Sequence, residues 1–269
     1  MLKEHIAGGP AMRSFLALIL IFASLQTQAR ILLVSDIDDT VKLANVVDLA
    51  NAAVYAFDDK SSFVGMSELY NSIVKDRPDT DVLYLSRAPE WFMKKTHTRF
   101  LQNRNFPEGL YVGRTKYSSA VHKLNNIREQ IRKSNPDTVI MVGDNGEQDA
   151  DVYAQITQEF AQSGIRFLQF VRIAYNQKSS LFFEQVGFVT PLEVALDLEK
   201  EGVLQASSVQ NLISTVLPKI LGEKGRPATG QVAFPNFVKC KNFVWTWDEE
   251  LERFPELVFL KTRINSVCR

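Results

Sequence analysis

Acidic side chains follow directly on an apolar segment near the start of the chain. The segment Ile31 to Val34 runs into Ser35-Asp-Ile-Asp-Asp-Thr-Val-Lys42. On an extended segment, side chains two positions apart share a face, so Asp36 and Asp38 can converge on one point while Ile37 faces the other way. Crowded carboxylates cannot all ionise at low cost unless a cation lies among them, and a hard, oxygen-lined cluster suits magnesium. The sequence therefore predicts a magnesium site formed by carboxylates.

Phosphoryl transfer is the chemistry that such a site can serve. A phosphate monoester dianion repels an attacking carboxylate, so the site must neutralise the phosphoryl oxygens while it holds the nucleophile and the leaving oxygen in line. A magnesium ion supplies that neutralisation.

A second acidic cluster follows another apolar run. The run Ile140-Met-Val142 leads into Gly143-Asp-Asn-Gly-Glu-Gln-Asp-Ala-Asp151, in which Asp144 could complete the metal site. Its glycines allow a tight turn and close backbone approach. The alternative for this segment alone is an Asx-type turn that caps a helix starting near Glu147.

Two further polar residues could bind phosphate. Ser86 ends the apolar run Val82 to Leu85, and Lys123 lies between the apolar positions Val121 and Leu124 of an amphipathic helix. A serine hydroxyl can donate to a phosphate oxygen, and an ammonium can offset its charge. Taken singly, each would more often be a solvated surface residue.

The elements that must position these residues alternate between strands and helices. Short apolar runs predict strands, and apolar residues at helical spacing separate them. The predicted strands are Ile31–Val34, Val82–Leu85, Thr138–Val142 and Arg166–Val171, with Leu110–Val112 as a weaker candidate. The predicted helices contain Met66 to Val74, Val121 to Ile131 and Val152 to Phe160. This order predicts an α/β fold with a doubly wound parallel sheet, which gathers residues that follow strands at one edge.

Beyond about residue 175 the pattern becomes mainly helical. Thr190 and Pro191 predict a helix start, and Gly202 can end that helix. An apolar stripe from Val209 to Leu221 favours packing on the core over a lipid-binding face. The stretch Phe234 to Arg269 is aromatic, shows no motif and is expected to be irregular.

The first 29 residues resemble an export signal. Basic Lys3 and Arg13 precede the uncharged run 14–23, and Ala29 offers a small residue for cleavage. Met12 opens a more ordinary signal than Met1 does. The alternative is a membrane anchor, although the apolar run is shorter than the roughly 20 residues that span a bilayer. A secreted or periplasmic location is expected, with no transmembrane segment in the mature protein.

Cysteine content and net charge restrict the disulfide pairing and the binding partners that the sequence allows. The only two cysteines, Cys240 and Cys268, lie in the part that would be exported, which favours a disulfide over two free thiols. Lys+Arg and Asp+Glu both number 31, so no net field attracts nucleic acid, and phosphate binding must be local. His97, on an amphipathic helix, is expected to be a surface or packing residue.

These motifs resemble the haloacid dehalogenase superfamily when they are taken in order. Its four signatures are DxDxT from Asp36 to Thr40, the strand-ending Ser86, Lys123, and GDxxxxD from Gly143 to Asp149. The chain is more closely similar to the catalytic domain of the actin-patch-associated phosphatidate phosphatases over about residues 31 to 175. The segments that carry this similarity are Ser35–Lys42, Gly65–Tyr70, Tyr84–Ser86, His122–Lys123 and Gly143–Tyr153.

The resemblance implies an aspartyl-phosphate mechanism. Asp36 would attack phosphorus, while Asp38 would protonate the leaving alkoxide and then activate the hydrolytic water. Thr40, Ser86 and Lys123 would contact the phosphate.

The resemblance also implies a set of metal ligands. These would be Asp36, the main-chain carbonyl of Asp38, and Asp144, with Asp149 orienting Lys123 or a metal-bound water. One departure is Arg87-Ala-Pro89, where the family usually has a small or amide residue after the motif serine.

Little sequence is left for a large cap, because Thr40 to Gly65 and Arg87 to Val121 are nearly used up by core elements. The predicted organisation is a signal peptide at 1–29, a phosphatase domain at 30–175 and a helical extension at 176–269. An open site agrees with phosphatidate at a membrane surface as the substrate. The alternatives are a broad-specificity phosphatase for small phosphomonoesters and a non-catalytic phosphatidate-binding module.

Overall fold

Six parallel strands form the central sheet of this protein. The computed structural model describes residues 30–48, 55, 57–115, 118–176 and 181–269, so the predicted signal segment lies outside the described residues. The sheet order is β4-β3-β1-β5-β6-β7, and every neighbouring pair is parallel. The strands are β1 Ile31–Asp36, β3 Thr80–Pro89, β4 Leu110–Arg114, β5 Thr138–Asp144, β6 Arg166–Arg172 and β7 Gln185–Phe188. A separate short pair joins β2 Ser62–Phe63 to β8 Gln231–Val232.

Helices cover both faces of the sheet. The described helices are α1 Met66–Asp76, α2 Glu90–Asn103, α3 Ser119–Ser134, α4 Asp149–Glu159, α5 Pro191–Lys200, α6 Ala206–Gly222, α7 Glu250–Arg253 and α8 Leu257–Val267. Side chains alternate along β1, so Leu32 and Val34 pack with α3 and α4 on one face. Ile31 and Leu33 belong to the larger core on the other face, where α1, α5, α6 and α8 pack. The predicted doubly wound α/β fold with C-terminal helices is confirmed.

The described residues contain no cap domain over the sheet edge. Between Thr40 and Met66 the regular elements described are limited to β2, and between Arg87 and Ser119 they are α2 and β4, which belong to the layers of the core. The division of the chain at residue 175 stays a prediction, while the sheet itself runs on past that residue because β7 pairs with β6.

The C-terminal helices pack on the core as the apolar stripe predicted. Thr190 caps α5 through a capping box with Glu193, Pro191 is its first residue, and Gly202 follows its end with a φ of +71°. The stripe from Val209 to Ile220 is buried against α1, α5 and α8, although Leu221 is 39% exposed. No helix in the described ranges has the length and apolar character needed to cross a bilayer.

The last thirty-odd residues differ from the expectation of an irregular tail. The helix α8 buries Leu257, Leu260 and Ile264, which follow the spacing of one helix face. A disulfide joins Cys240 to Cys268, with the two Cα atoms 4.5 Å apart. The disulfide links the end of α8 covalently to the segment that precedes α7.

Candidate active site

Asp36 ends β1 at the carboxyl edge of the sheet, in the position expected for a nucleophile. Its side chain is 1% exposed. Oδ1 accepts a hydrogen bond from Lys123 Nζ at 2.7 Å, and Oδ2 accepts one from the Thr40 hydroxyl at 3.1 Å. Both carboxylate oxygens are therefore held in fixed directions by groups that the motifs predicted.

Lys123 reaches this point from the first turns of α3. It is buried, donates to Asp149 Oδ1 as well as to Asp36, and lies 3.5 Å from Glu147 Oε2. Burial alone would lower the pKa of Lys123, but Asp149 and Asp36 raise it well above its usual value. The residue is therefore a buried ammonium. Val121 is 41% exposed, which corrects its assignment to the apolar face of this helix.

Three buried carboxylates form the group that could hold a metal ion. One oxygen each from Asp36, Asp144 and Asp149 lies within 4.8 Å of the others. They meet because β1 and β5 are neighbours, with Ser35 opposite Val142 one residue before β1 ends. A Cβ at Gly143 would lie 2.5 Å from Asp149 Oδ2, so glycine is required for Asp149 to approach.

An unpartnered oxygen and excess negative charge indicate that this group fits a divalent cation. Asp144 Oδ1 accepts from the Gly146 amide at 2.6 Å, but the buried Oδ2 has no hydrogen-bond partner among the described residues. Four carboxylates and two cations meet here: Asp36, Asp144, Glu147, Asp149, Lys123 and Arg87. The balance of two negative charges matches one divalent ion.

Burial and crowding of the carboxylates also shift the pKa values of Asp36 and Asp144. Burial raises the pKa of Asp36 well above its usual value, with Lys123 opposing that rise. Burial and the neighbouring Asp149 raise the pKa of Asp144 in the same direction. A bound cation removes this penalty because it stabilises the ionised forms.

Asp38 lies outside the carboxylate group and faces a different set of partners. Its Oδ2 accepts from Ser86 Oγ at 3.1 Å, and its Oδ1 lies 3.4 Å from His97 Nε2. Burial raises the pKa of Asp38, but His97 and the buried Lys42 outweigh it and hold that pKa well below the usual range. The pKa of Asp38 is therefore lowered, whereas the pKa values of Asp36 and Asp144 are raised.

His97 is a site neighbour that sequence analysis assigned to the surface or to simple packing. It is fully buried on α2, and its Nδ1 lies 3.2 Å from the Tyr111 hydroxyl. Met93, His97 and Phe100 form the buried face of α2. That helical spacing is visible in the sequence and predicts a buried side chain at His97.

Asp39 organises the loop that follows Asp36, a role that no local sequence pattern signals. Its φ of 60° lies in the left-handed region. Its carboxylate accepts from the backbone amides of residues 44, 45 and 46 at 2.7–2.9 Å and from the Tyr175 hydroxyl at 2.6 Å. The loop after Asp38 is therefore closed around a single carboxylate.

Arg172, at the end of β6, contacts the loop that follows Asp36. It is 1% exposed, and its guanidinium lies 3.9 Å from the Phe63 ring centroid and 4.6 Å from that of Phe188. Its Nε donates to the Thr40 carbonyl at 3.1 Å, and another nitrogen donates to the Val189 carbonyl. Burial lowers its pKa to about 10.

The structure brings the seven predicted site residues to one edge of the sheet. They are Asp36, Asp38, Thr40, Ser86, Lys123, Asp144 and Asp149, and hydrogen bonds or the carboxylate group join each of them to another. Arg87, the departure from the usual motif, forms an ion pair with Glu147 at 2.9 Å.

The fold and this arrangement of residues define a phosphatase-type domain of the haloacid dehalogenase superfamily. The more particular assignment comes from the sequence model of the family described as phosphatidate phosphatase APP1, catalytic domain, which matches residues 31–166. The chain belongs to this family.

Two individual proteins are similar to the chain. An uncharacterized protein of Schizosaccharomyces pombe is 26% identical over 143 residues, which cover 48% of this chain and 23% of the relative's length. A solved class C acid phosphatase from Bacillus anthracis with tungstate bound is 16% identical, with a TM-score of 0.38, and the match covers 72% of this chain and 86% of that one. A likeness of that degree supports no further argument.

Proposed function

We propose that this protein is a magnesium-dependent phosphomonoester hydrolase that works through an aspartyl phosphate and acts on phosphatidate. The observation that supports the chemistry is Asp36, a buried carboxylate aligned by Lys123 and Thr40 beside a cluster that fits a divalent cation. Membership of the phosphatidate phosphatase family supports the substrate.

In the proposed reaction, a carboxylate oxygen of Asp36 attacks phosphorus while the bond between phosphorus and the ester oxygen breaks. Asp38, in its protonated form, gives its proton to the departing alkoxide and so becomes the ionised carboxylate that its lowered pKa favours. It then accepts a proton from the water that attacks the aspartyl phosphate, which releases inorganic phosphate and restores Asp36. Lys123 and Thr40 hold Asp36 in line for attack, and Ser86 holds Asp38.

Asp36, Asp144 and Asp149, with the Asp38 carbonyl, would hold the magnesium ion. When bound, the ion supplies neutralisation of the phosphoryl oxygens. Lys123 adds a fixed positive charge on the same side, and its contact with Asp149 keeps that charge in place.

Phosphatidate is favoured over small esters by one further observation. The described residues place no cap domain over the sheet edge, so no such domain separates the site from a bulky lipid. A broad-specificity phosphatase for small esters has the same site chemistry, and the choice between the two rests on turnover.

We also propose that the protein is exported. The disulfide between Cys240 and Cys268 supports this location, because such bonds persist in oxidising compartments.

The test compares hydrolysis of phosphatidate in detergent micelles with hydrolysis of p-nitrophenyl phosphate, each with magnesium and with excess EDTA. Asp36→Asn is expected to abolish turnover of both substrates with the fold intact, whereas Asp38→Asn should trap phosphate on Asp36. Asp151→Asn is the matched control, because Asp151 is an exposed acid in the first turn of α4. Full turnover in EDTA would contradict the metal assignment. Much faster turnover of the small ester would favour the broad-specificity alternative.

A further inference from the structure

Three aromatic side chains, which we name the aromatic rim, are exposed together at the start of α2. Trp91 is 87% exposed, Phe57 65% and Phe92 44%. The Phe92 ring lies 5.4 Å from that of Phe57 and 5.5 Å from that of Trp91. The three rings therefore form one continuous patch.

The aromatic rim lies at the edge of the sheet that carries the candidate active site. Strand β3 delivers Ser86 to Asp38 and ends at Pro89, and α2 begins at the next residue. Trp91 and Phe92 therefore stand in the first turn beyond the carboxyl end of β3. Six residues after Trp91, His97 on the inner face of the same helix approaches Asp38.

Packing does not account for these exposed rings. The face of α2 that contacts the core is filled by Met93, His97, Phe100 and Leu101. A cluster of exposed apolar side chains costs free energy in water and marks an interaction site more often than a scattered single one does. The rim is therefore expected to bind a partner outside the described core.

Basic side chains flank the aromatic rim. Lys94 and Lys95 are both exposed, and with Glu90, Trp91 and Thr115 they line a shallow open pocket. Lys94 forms an ion pair with Glu90 at 2.8 Å, whereas no ion pair to Lys95 occurs within the described ranges. Indole rings favour the headgroup level of a bilayer, and lysines next to them are attracted to anionic lipid.

The size of the rim argues against a second copy of the chain as its partner. Three aromatic side chains expose about 150–250 Å² each at most. Since each is only partly exposed, the rim offers well under the roughly 800 Å² per partner of a stable protein interface. A bilayer can be bound reversibly through a few inserted side chains, so a patch of this size is sufficient for a lipid surface.

We propose that Phe57, Trp91 and Phe92, with Lys94 and Lys95, form a docking surface for an anionic bilayer, which brings the site edge to phosphatidate in the membrane. This inference rests on the proposed function for its substrate. Docking by the rim orients the carboxyl edge of the sheet toward the headgroups, so a phosphomonoester can reach Asp36 without leaving the bilayer.

The experiment measures co-sedimentation of the full chain with sucrose-loaded vesicles of phosphatidylcholine, with and without phosphatidate. The variant is Trp91→Ser with Phe92→Ser, and the matched control is Phe259→Ser, an aromatic residue 62% exposed on α8. Wild type should bind the phosphatidate vesicles more tightly than the neutral ones, and high salt should weaken that binding. The double variant should bind at least tenfold more weakly, with p-nitrophenyl phosphate turnover within about twofold of wild type.

Two results would overturn the proposal. The double variant could lose small-ester turnover as much as vesicle binding, which would make the rim part of the fold or the site. It could instead bind vesicles as wild type does, and a changed oligomeric state would then make the rim an interface between copies.

Tryptophan fluorescence tests insertion directly. Emission from wild type should shift to shorter wavelength on addition of phosphatidate vesicles, and Trp91→Phe should remove that shift while it preserves binding. Absence of the shift in wild type that binds would contradict docking through Trp91.

The micelle assay separates failure of docking from failure of the proposed function. Hydrolysis of micellar phosphatidate without vesicle binding would reject the docking surface alone. Vesicle binding without hydrolysis of micellar phosphatidate would reject the substrate assignment and leave the docking surface standing.

Discussion

Replacement of His97 should slow the reaction in a way that depends on the leaving group. In the proposed mechanism Asp38 gives a proton to an alkoxide, which is a poor leaving group, whereas p-nitrophenolate departs without one. His97 Nε2 lies 3.4 Å from Asp38 Oδ1, while Ser86 holds the other oxygen at 3.1 Å. Loss of His97 therefore leaves Asp38 present but held on one side only.

The expected loss in kcat/KM follows from this geometry. An interaction with a charged group contributes about 1.5–3 kcal/mol, and each ~1.4 kcal/mol is a tenfold change in rate. That range is for hydrogen bonds, and His97 Nε2 makes only a 3.4 Å ion-pair contact without hydrogen-bond geometry, so the lower part of the range applies to His97. His97→Ala should lower kcat/KM for an alkyl phosphate about 10- to 30-fold. For p-nitrophenyl phosphate the loss should stay below about threefold.

The assay compares kcat/KM for both substrates, because this parameter reports the steps up to departure of the leaving group. His97→Gln keeps a donor near Nε2 and should recover part of the loss with the alkyl ester. Thermal unfolding of both variants controls for the cavity, because His97 is fully buried. Equal losses with the two esters would refute the assigned role, since a purely structural defect does not distinguish leaving groups.

Three further perturbations test other parts of the structure. Asp144→Asn should unfold in EDTA at the same or a higher temperature than wild type, because Asp144 Oδ2 is buried without a hydrogen-bond partner. The variant should also lose the rise in Tm that magnesium gives wild type. An unchanged magnesium response would contradict the metal site. Burial raises the pKa of Glu193 to about 7, so the folded state keeps that proton from about pH 4.5 to pH 7 and loses stability as pH rises through the window. Relative to Glu193→Gln, wild type should lose roughly 3 kcal/mol in urea unfolding between about pH 4.5 and pH 8, and parallel curves would refute this. Replacing Cys240 and Cys268 by serine should cost about 3–4 kcal/mol for a closed loop of 28 residues, and reductant should destabilise wild type but not the variant.

Strands buried on both faces were predictable because a short, unbroken apolar run between polar segments is typical of the middle of a parallel sheet. β1 and β5 carry such runs up to the acidic motifs, so both the strands and the meeting of Asp36 with Asp144 could be inferred. β7 has only four residues, with glycine among them, and takes its place through pairing with β6 rather than through its own pattern.

Structural features that the sequence pattern did not reveal fall into two kinds. His97 and the buried positions of α8 follow helical spacing, so the information was present but each segment looked unremarkable alone. Asp39 is different, because its role depends on a left-handed backbone and on Tyr175, 136 residues away. Long-range contacts of this kind leave no trace in local pattern.

The buried guanidinium of Arg172 links the C-terminal extension to the loop that follows Asp36. One of its nitrogens binds the main chain of that loop at Thr40, and another binds residue 189, which lies beyond the family match. A chain cut after residue 175 would keep the charge in an apolar interior while losing the Phe188 ring and the Val189 carbonyl that balance it. Cleavage in the C-terminal half of the chain is therefore expected to disturb the loop that follows Asp36, although none of the residues that hydrogen-bond to Asp36 lies in that half.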